Sequence, residues 1–122
     1  MYEVYVTTQF SAAHRLKGHD GQFENLHGHN WTASVTAEAQ ELNAIGVGID
    51  FIKLKEKVES CLSLLDYKNI NEVPPFDKDN PSAENIARWL YKKLSADLNN
   101  DGVRIKKVAI YEMPNCGASY YE

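Results

Sequence analysis

Three histidines in this sequence sit where they could share one metal ion. His27 and His29 flank Gly28 at the head of a strand-like run, and the alternation of side chains along a strand puts both imidazoles on one face. His14 ends an earlier strand-like run that could pair with this one. Three neutral imidazoles converging on one point are what a catalytic zinc needs, with a fourth position left open for water or substrate. His19, in a glycine-flanked loop, reads as a pocket or surface residue.

The elements that must carry these residues follow from periodicity. Residues 2–10 are β-branched and aromatic, with Tyr2, Val4, Val6, Thr8 and Phe10 on one face, and Ser11 to Leu16 continue or end this strand. Residues 17–26 hold glycines and no period, so they form a loop. The run from His29 to Ala39 is a second strand, with Trp31, Ala33, Val35 and Ala37 on the face of His27 and His29. Asp50 can cap a helix running to about Leu64, whose apolar positions Phe51, Leu54, Val58, Cys61, Leu62 and Leu65 fall at helical spacing. That spacing makes Cys61 a packed thiol rather than a nucleophile. After a loop over residues 66–81, a second helix starts near Ser82, with Asn80 or Ser82 as cap and Ile86, Trp89, Leu90, Leu94 and Leu98 on its apolar face. Residues 103–113 form a third strand and residues 118–121 a short fourth.

The order is ββααββ, an α+β domain spanning residues 1–122, with an antiparallel sheet and two helices on one face. Large residues are expected on both faces, with Val108 and Ile110 set against Ile105 and Tyr111. Two helices cover only one side, so the other side is expected to pack against another subunit. The length of 122 residues suits one core, and the net charge of −4 argues against a general nucleic-acid binder. No stretch approaches the roughly 20 apolar residues of a membrane span. The N-terminus lacks the pattern of a secretory signal, and Cys61 and Cys116 form no recognisable motif, so a cytoplasmic protein with free thiols is expected.

Phe10-Ser11-Ala12-Ala13-His14-Arg15-Leu16, followed by Leu26-His27-Gly28-His29-Asn30, resembles the 6-pyruvoyl-tetrahydropterin synthase family, which includes the 6-carboxytetrahydropterin synthases. Further matches are Gly48-Ile49-Asp50-Phe51, Leu65-Asp66, Asn69-Ile70-Asn71, Pro81-Ser82-Ala83-Glu84-Asn85 and Tyr111-Glu112. The resemblance implies the tunnelling fold, whose sheets join into a barrel, typically in a homo-hexamer of two stacked trimers. It implies zinc on His14, His27 and His29, and 7,8-dihydroneopterin triphosphate as substrate. It also implies that Glu112 anchors the pterin, since a carboxylate can accept two hydrogen bonds from its 2-amino and ring N–H groups.

Two departures from the family pattern bear on the reaction. The pyruvoyl- and carboxy-forming members carry a cysteine shortly before the His-Gly-His motif, and here residues 19–26 contain none. Glu24 stands three residues before His27, which resembles members that cleave the side chain to give 6-hydroxymethyl-7,8-dihydropterin. Asp66 keeps its place, but Tyr67 follows it where the family usually has histidine. Glu24, Asp66 and Tyr67 are therefore the candidate catalytic residues, with Glu24 as base. The alternatives are 6-carboxy- or 6-pyruvoyl-tetrahydropterin formation, with Glu24, Tyr67 or His19 in other roles, and a zinc- or pterin-binding protein without turnover. Arg15, Lys17 and Lys53 are candidates for holding the phosphates. Cys116 is read as structural, because no base or helix N-terminus is evident beside it in sequence.

Overall fold

Strand alternation builds the sheet around two long partners. The computed structural model describes residues 1–18 and 20–122, so His19 lies outside the described residues. Strands β1 (Tyr2–His14) and β2 (His27–Ala39) pair antiparallel along their whole length, from Tyr2 opposite Ala39 to His14 opposite His27. The helices are α1 (Phe51–Leu62) and α2 (Ala83–Leu98), and the remaining strands are β3 (Lys68–Asn69), β4 (Val103–Met113) and β5 (Cys116–Tyr121). The sheet order is β3-β1-β2-β4-β5. The four long strands are antiparallel as expected. The segment expected as loop adds two features, a 3-10 turn over Ile70–Glu72 and the two-residue β3, which pairs parallel to β1 at Ala12 and Ala13.

Both helices start where the sequence provides a side-chain acceptor. Asp50 accepts from the amides of Ile52 and Lys53, and Ser82 accepts from the amide of Asn85. Helix α1 ends at Leu62, two residues short of expectation. It buries Leu54, Val58 and Leu62, whereas Phe51, expected on the same stripe, is the first residue of the helix and stays largely exposed. Cys61 is half-buried against the core, and burial pushes its thiol pKa up. Helix α2 buries Ile86, Ala87, Leu90, Tyr91 and Leu94. These residues meet Val6, Phe10, Trp31, Ala33, Val35, Ile105, Val108 and Ile110 from the sheet in one hydrophobic cluster.

A bulge alters the faces of β4. The register of β2 against β4 shifts between Thr36 and Ala37, which inserts Lys106 as an extra residue. Ile105 therefore lies buried with Val108 and Ile110 rather than opposing them, and Tyr111 alone of the four faces outward. The helix-free face carries Thr7, Gln9, Ser34, Thr36 and Ser119 together with the exposed rings of Tyr5, Tyr111 and Tyr121, so large residues stand on both faces as expected. Glu38 on this face accepts from Arg104 at 3.1 Å and from Lys106 at 3.1 Å, and Lys106 also reaches Glu3 at 2.5 Å. Gly117 lies opposite Tyr111 for a steric reason: a Cβ there would stand 2.5 Å from the ring and 2.8 Å from the carbonyl of Ile110.

Candidate active site

The histidines meet at one end of the β1–β2 pair, on the helix-facing side. His14 ends β1 opposite His27, and His29 follows two residues along the same face of β2. Each of the three offers a ring nitrogen, and these atoms all lie within 4.8 Å of one another. The rings stand edge-on, with centroids 4.8 Å apart for His14 and His27, 5.3 Å for His14 and His29, and 4.8 Å for His27 and His29.

Tautomers are set by carbonyl oxygens, which can only accept. His14 Nδ1 donates to the carbonyl of Pro81 at 2.7 Å, and His27 Nδ1 donates to the carbonyl of Asn25 at 2.8 Å. Each Nε2 is thereby left with its lone pair free, the arrangement by which outer hydrogen bonds orient metal-ligating histidines. His14 Nε2 and His29 Nε2 are buried with no hydrogen-bond partner among the described residues. Such atoms are costly to leave unsatisfied, and a bound cation would satisfy both. Burial pushes the His29 imidazole below the ordinary histidine pKa, partly opposed by the charge of Glu112. The neutral ring favoured by burial is the form that ligates metal. A zinc ion therefore fits the side chains present.

Trp31 forms the floor beneath the triad. It is fully buried, its ring centroid lies 4.7 Å from that of His14 and 5.2 Å from that of His29, and its Nε1 donates to the carbonyl of Ala12 at 3.1 Å. Phe10 stacks on it from the core side at 5.6 Å. The triad is thus seated on packed aromatic rings, which restricts its rotamers.

Glu112 stands over the triad. Its two carboxylate oxygens lie 3.8 Å from His14 Nε2 and 3.8 Å from His29 Nε2. It also lines a pocket of about 180 Å³ with Ala83, Glu84, Cys116, Gly117 and Ala118. Cys116, exposed and free, thus lines the same pocket as the first turn of α2 and the carboxylates of Glu84 and Glu112. The turn after β4 folds back as β5 and brings it there.

Glu24 is held differently. It is exposed in the single subunit, its Oε1 accepts from the amide of Leu16 at 2.9 Å, and its own amide donates to the carbonyl of Leu16 at 2.9 Å. The pairing of the two segments thus continues past the strands, and Glu24 is fixed against Leu16, two residues beyond His14. Its charge is felt at His29, where it favours the protonated ring.

Asp66 and Tyr67 meet the site's elements elsewhere. Asp66 Oδ1 accepts from the amide of Ser11 at 2.9 Å, and the amide of Tyr67 donates to the carbonyl of Ser11 at 2.5 Å. Tyr67 has φ of 58° and is 85% exposed. A non-glycine residue at positive φ carries backbone strain of order 1 kcal/mol or more and draws attention to its site. Tyr67 lines a depression of about 540 Å³ with Ser11, Ala13, Gly28, His29, Asn30 and the β3 residues.

Among the cationic candidates, Arg15 and Lys17 come together at one aromatic ring, while Lys53 lies in the first turn of α1. The Arg15 guanidinium lies 4.2 Å and the Lys17 ammonium 5.9 Å from the ring centre of Phe23. What holds these residues in place has no local signal in the sequence. Asn71 bonds both the amide and the carbonyl of Arg15, and Asn80 does the same for Lys17. The i, i+2 spacing of Arg15 and Lys17 on an extended segment could have suggested their pairing.

Comparison with known proteins agrees with this geometry. A dihydroneopterin monophosphate aldolase from Pyrococcus furiosus is 35% identical over 103 residues, covering 84% of this chain and 82% of its own. A 6-carboxy-5,6,7,8-tetrahydropterin synthase from Rickettsia bellii is 26% identical over 126 residues, covering 88% and 91% respectively. The solved 6-pyruvoyl tetrahydropterin synthase of Caenorhabditis elegans superposes with a TM-score of 0.85 at 27% identity, covering 99% of this chain and 95% of the other. The 6-pyruvoyl tetrahydropterin synthase family model matches residues 3–122, nearly the whole sequence. With the fold, the match along the chain and the histidine cluster in agreement, this chain belongs to the 6-pyruvoyl tetrahydropterin synthase family.

Proposed function

We propose that this pterin-biosynthesis enzyme is a zinc-dependent lyase that cuts the side chain of a phosphorylated 7,8-dihydroneopterin between its first and second carbons. The products are 6-hydroxymethyl-7,8-dihydropterin and a phosphorylated two-carbon aldehyde. Glu24, tied to Leu16 two residues beyond His14, with its charge felt at His29 and in a loop without cysteine, is the observation that carries this reading. The 35% identity to an enzyme named as a dihydroneopterin monophosphate aldolase supports it, and it favours the monophosphate over the triphosphate implied by the sequence resemblance.

His14, His27 and His29 would hold the zinc, which as a Lewis acid lowers the pKa of substrate hydroxyls. Glu24 takes the proton from the hydroxyl on the second side-chain carbon. That oxygen's electrons form the new carbonyl as the carbon–carbon bond breaks, and the bonding pair moves into the pterin ring through its imine. Reprotonation at the first carbon gives the hydroxymethyl group. Oε2 of Glu24, without a hydrogen-bond partner among the described residues, is the atom suited to this work, since Oε1 is tied to the Leu16 amide. Glu112 anchors the pterin by accepting from its amino and ring N–H groups, and Arg15 and Lys17 hold the phosphate. Asp66 and Tyr67 act from the sheet edge as a second proton-handling pair, serving a site completed by a neighbouring subunit in a hexamer.

The test is product analysis. Zinc-loaded protein is incubated with 7,8-dihydroneopterin monophosphate or triphosphate, and pterins are identified by mass spectrometry. The expected product is 6-hydroxymethyl-7,8-dihydropterin, formed faster from the monophosphate. Faster turnover of the triphosphate would reverse the choice of phosphate ester without touching the cleavage assignment.

A further inference from the structure

Under the reading above, Glu112 is the pterin's anchor, but its position suits a second partner as well. The carboxylate oxygens lie 3.8 Å from His14 Nε2 and 3.8 Å from His29 Nε2, two buried ring nitrogens with no hydrogen-bond partner among the described residues. Neighbouring ligand atoms of a tetrahedral zinc with the usual bond lengths stand about 3.3 Å apart. The carboxylate is therefore close to ligand–ligand spacing from two of the three imidazoles. The histidine nitrogens themselves spread up to 4.8 Å, so closure on an ion draws all four side chains inward together.

Two further observations bear on this. The β4–β5 register shifts between Tyr111 and Met113, which leaves Glu112 unpaired in the ladder, and such bulges re-aim a side chain. The site is also walled by Trp31, and three neutral imidazoles leave a divalent cation with its full charge against that apolar wall. An anionic fourth ligand offsets it.

We propose that Glu112 is the fourth ligand of the metal while the pocket is empty, and that it leaves the metal when a pterin binds. Pairing with the pterin amino and ring N–H groups engages both carboxylate oxygens, so the two roles exclude each other. Pterin binding thus opens the metal position that the side-chain hydroxyls need, and opens it only when substrate is present. Linkage makes the coupling reciprocal: the metal weakens binding of a pterin without a side chain by the same factor as that pterin weakens binding of the metal. This inference rests on the triad as the metal site and on Glu112 as the pterin anchor, but not on which product is formed.

Cobalt(II) substitution tests it without reference to turnover. The visible absorption of the cobalt-loaded wild type is compared with that of Glu112→Gln, each with and without a pterin that lacks a side chain and so cannot reach the metal. The pterin-free spectra are expected to differ. Pterin is expected to shift the wild-type spectrum toward that of the variant and to leave the variant unchanged. Zinc affinity, measured by chelator competition, is expected to fall about 10- to 100-fold in Glu112→Gln. Superimposable pterin-free spectra with equal zinc affinities would overturn the proposal. A wild-type spectrum unmoved by pterin, whether bound or failing to bind, would overturn the exchange, and this titration decides the matter even if the variant misfolds. A 6-carboxy or 6-pyruvoyl product would overturn the proposed reaction while leaving the cobalt comparison intact.

Discussion

The two halves of the candidate site are built in opposite ways. The triad sits over buried Trp31, with two Nδ1 atoms fixed by carbonyls and two Nε2 atoms left facing one another's neighbourhood. The residues assigned to proton transfer are exposed: Glu24 lies on a hairpin extension, and Tyr67 stands at positive φ on the sheet edge. A metal site needs rigid ligands, and one subunit supplies them from two paired strands and the start of a helix. Proton transfer needs a dry surround that shifts pKa values, and one subunit does not provide it. In the proposed hexamer, neighbouring subunits would close over Glu24, Asp66 and Tyr67 and supply that surround.

The contrast breaks most completely at the rigid half. His27→Ala is expected to abolish both bound zinc and turnover, measured by elemental analysis and product formation on the same sample. Unchanged metal content would rule out the triad. At the exposed half, Glu24→Gln is expected to lower kcat by about 10²- to 10⁴-fold, the usual contribution of a general base. Zinc content and melting temperature should stay put, because Gln still offers the oxygen that accepts from Leu16. Undiminished kcat would transfer the base role elsewhere. Trp31→Ala attacks the support under the triad. Truncating a buried Trp costs about 3–5 kcal/mol, a large part of the stability of a small domain, and denaturant melts should show it. The smallest effect is expected for Tyr67→Phe, which retains the ring and removes the hydroxyl. Turnover should fall several-fold with no loss of zinc, and an effect as large as that of Glu24→Gln would make Tyr67 the principal proton carrier.

Much of the rigid half was legible in the sequence because it depends on local rules. Alternation alone put His27, His29 and Trp31 on one face, and pairing of two strand-like runs brought His14 to them. Asp50 and Ser82 announced their helices through capping chemistry, and the bounds of β4 agree with those read from its apolar pattern. What was not legible depends on contacts between distant segments. The bulge that turns Ile105 inward arises where β2 and β4 go out of register, which neither strand shows by itself. The two-residue β3 has no period to detect and exists because Tyr67 bonds back to Ser11. The carbonyl of Pro81 that orients His14, and the asparagines that brace Arg15 and Lys17, lie more than fifty residues from their partners. Backbone acceptors of that kind leave no mark on residue type.

Glu24 and a three-histidine metal site would together make this chain a side-chain lyase, unlike the family's carboxy- and pyruvoyl-forming members. The most direct measurement is mass-spectrometric identification of the pterin formed by the zinc-loaded protein from 7,8-dihydroneopterin monophosphate. Formation of 6-hydroxymethyl-7,8-dihydropterin, with release of the phosphorylated two-carbon aldehyde in equal amount, is the result this account predicts. A 6-carboxy or 6-pyruvoyl tetrahydropterin product, or a bound pterin that is never converted, would contradict it.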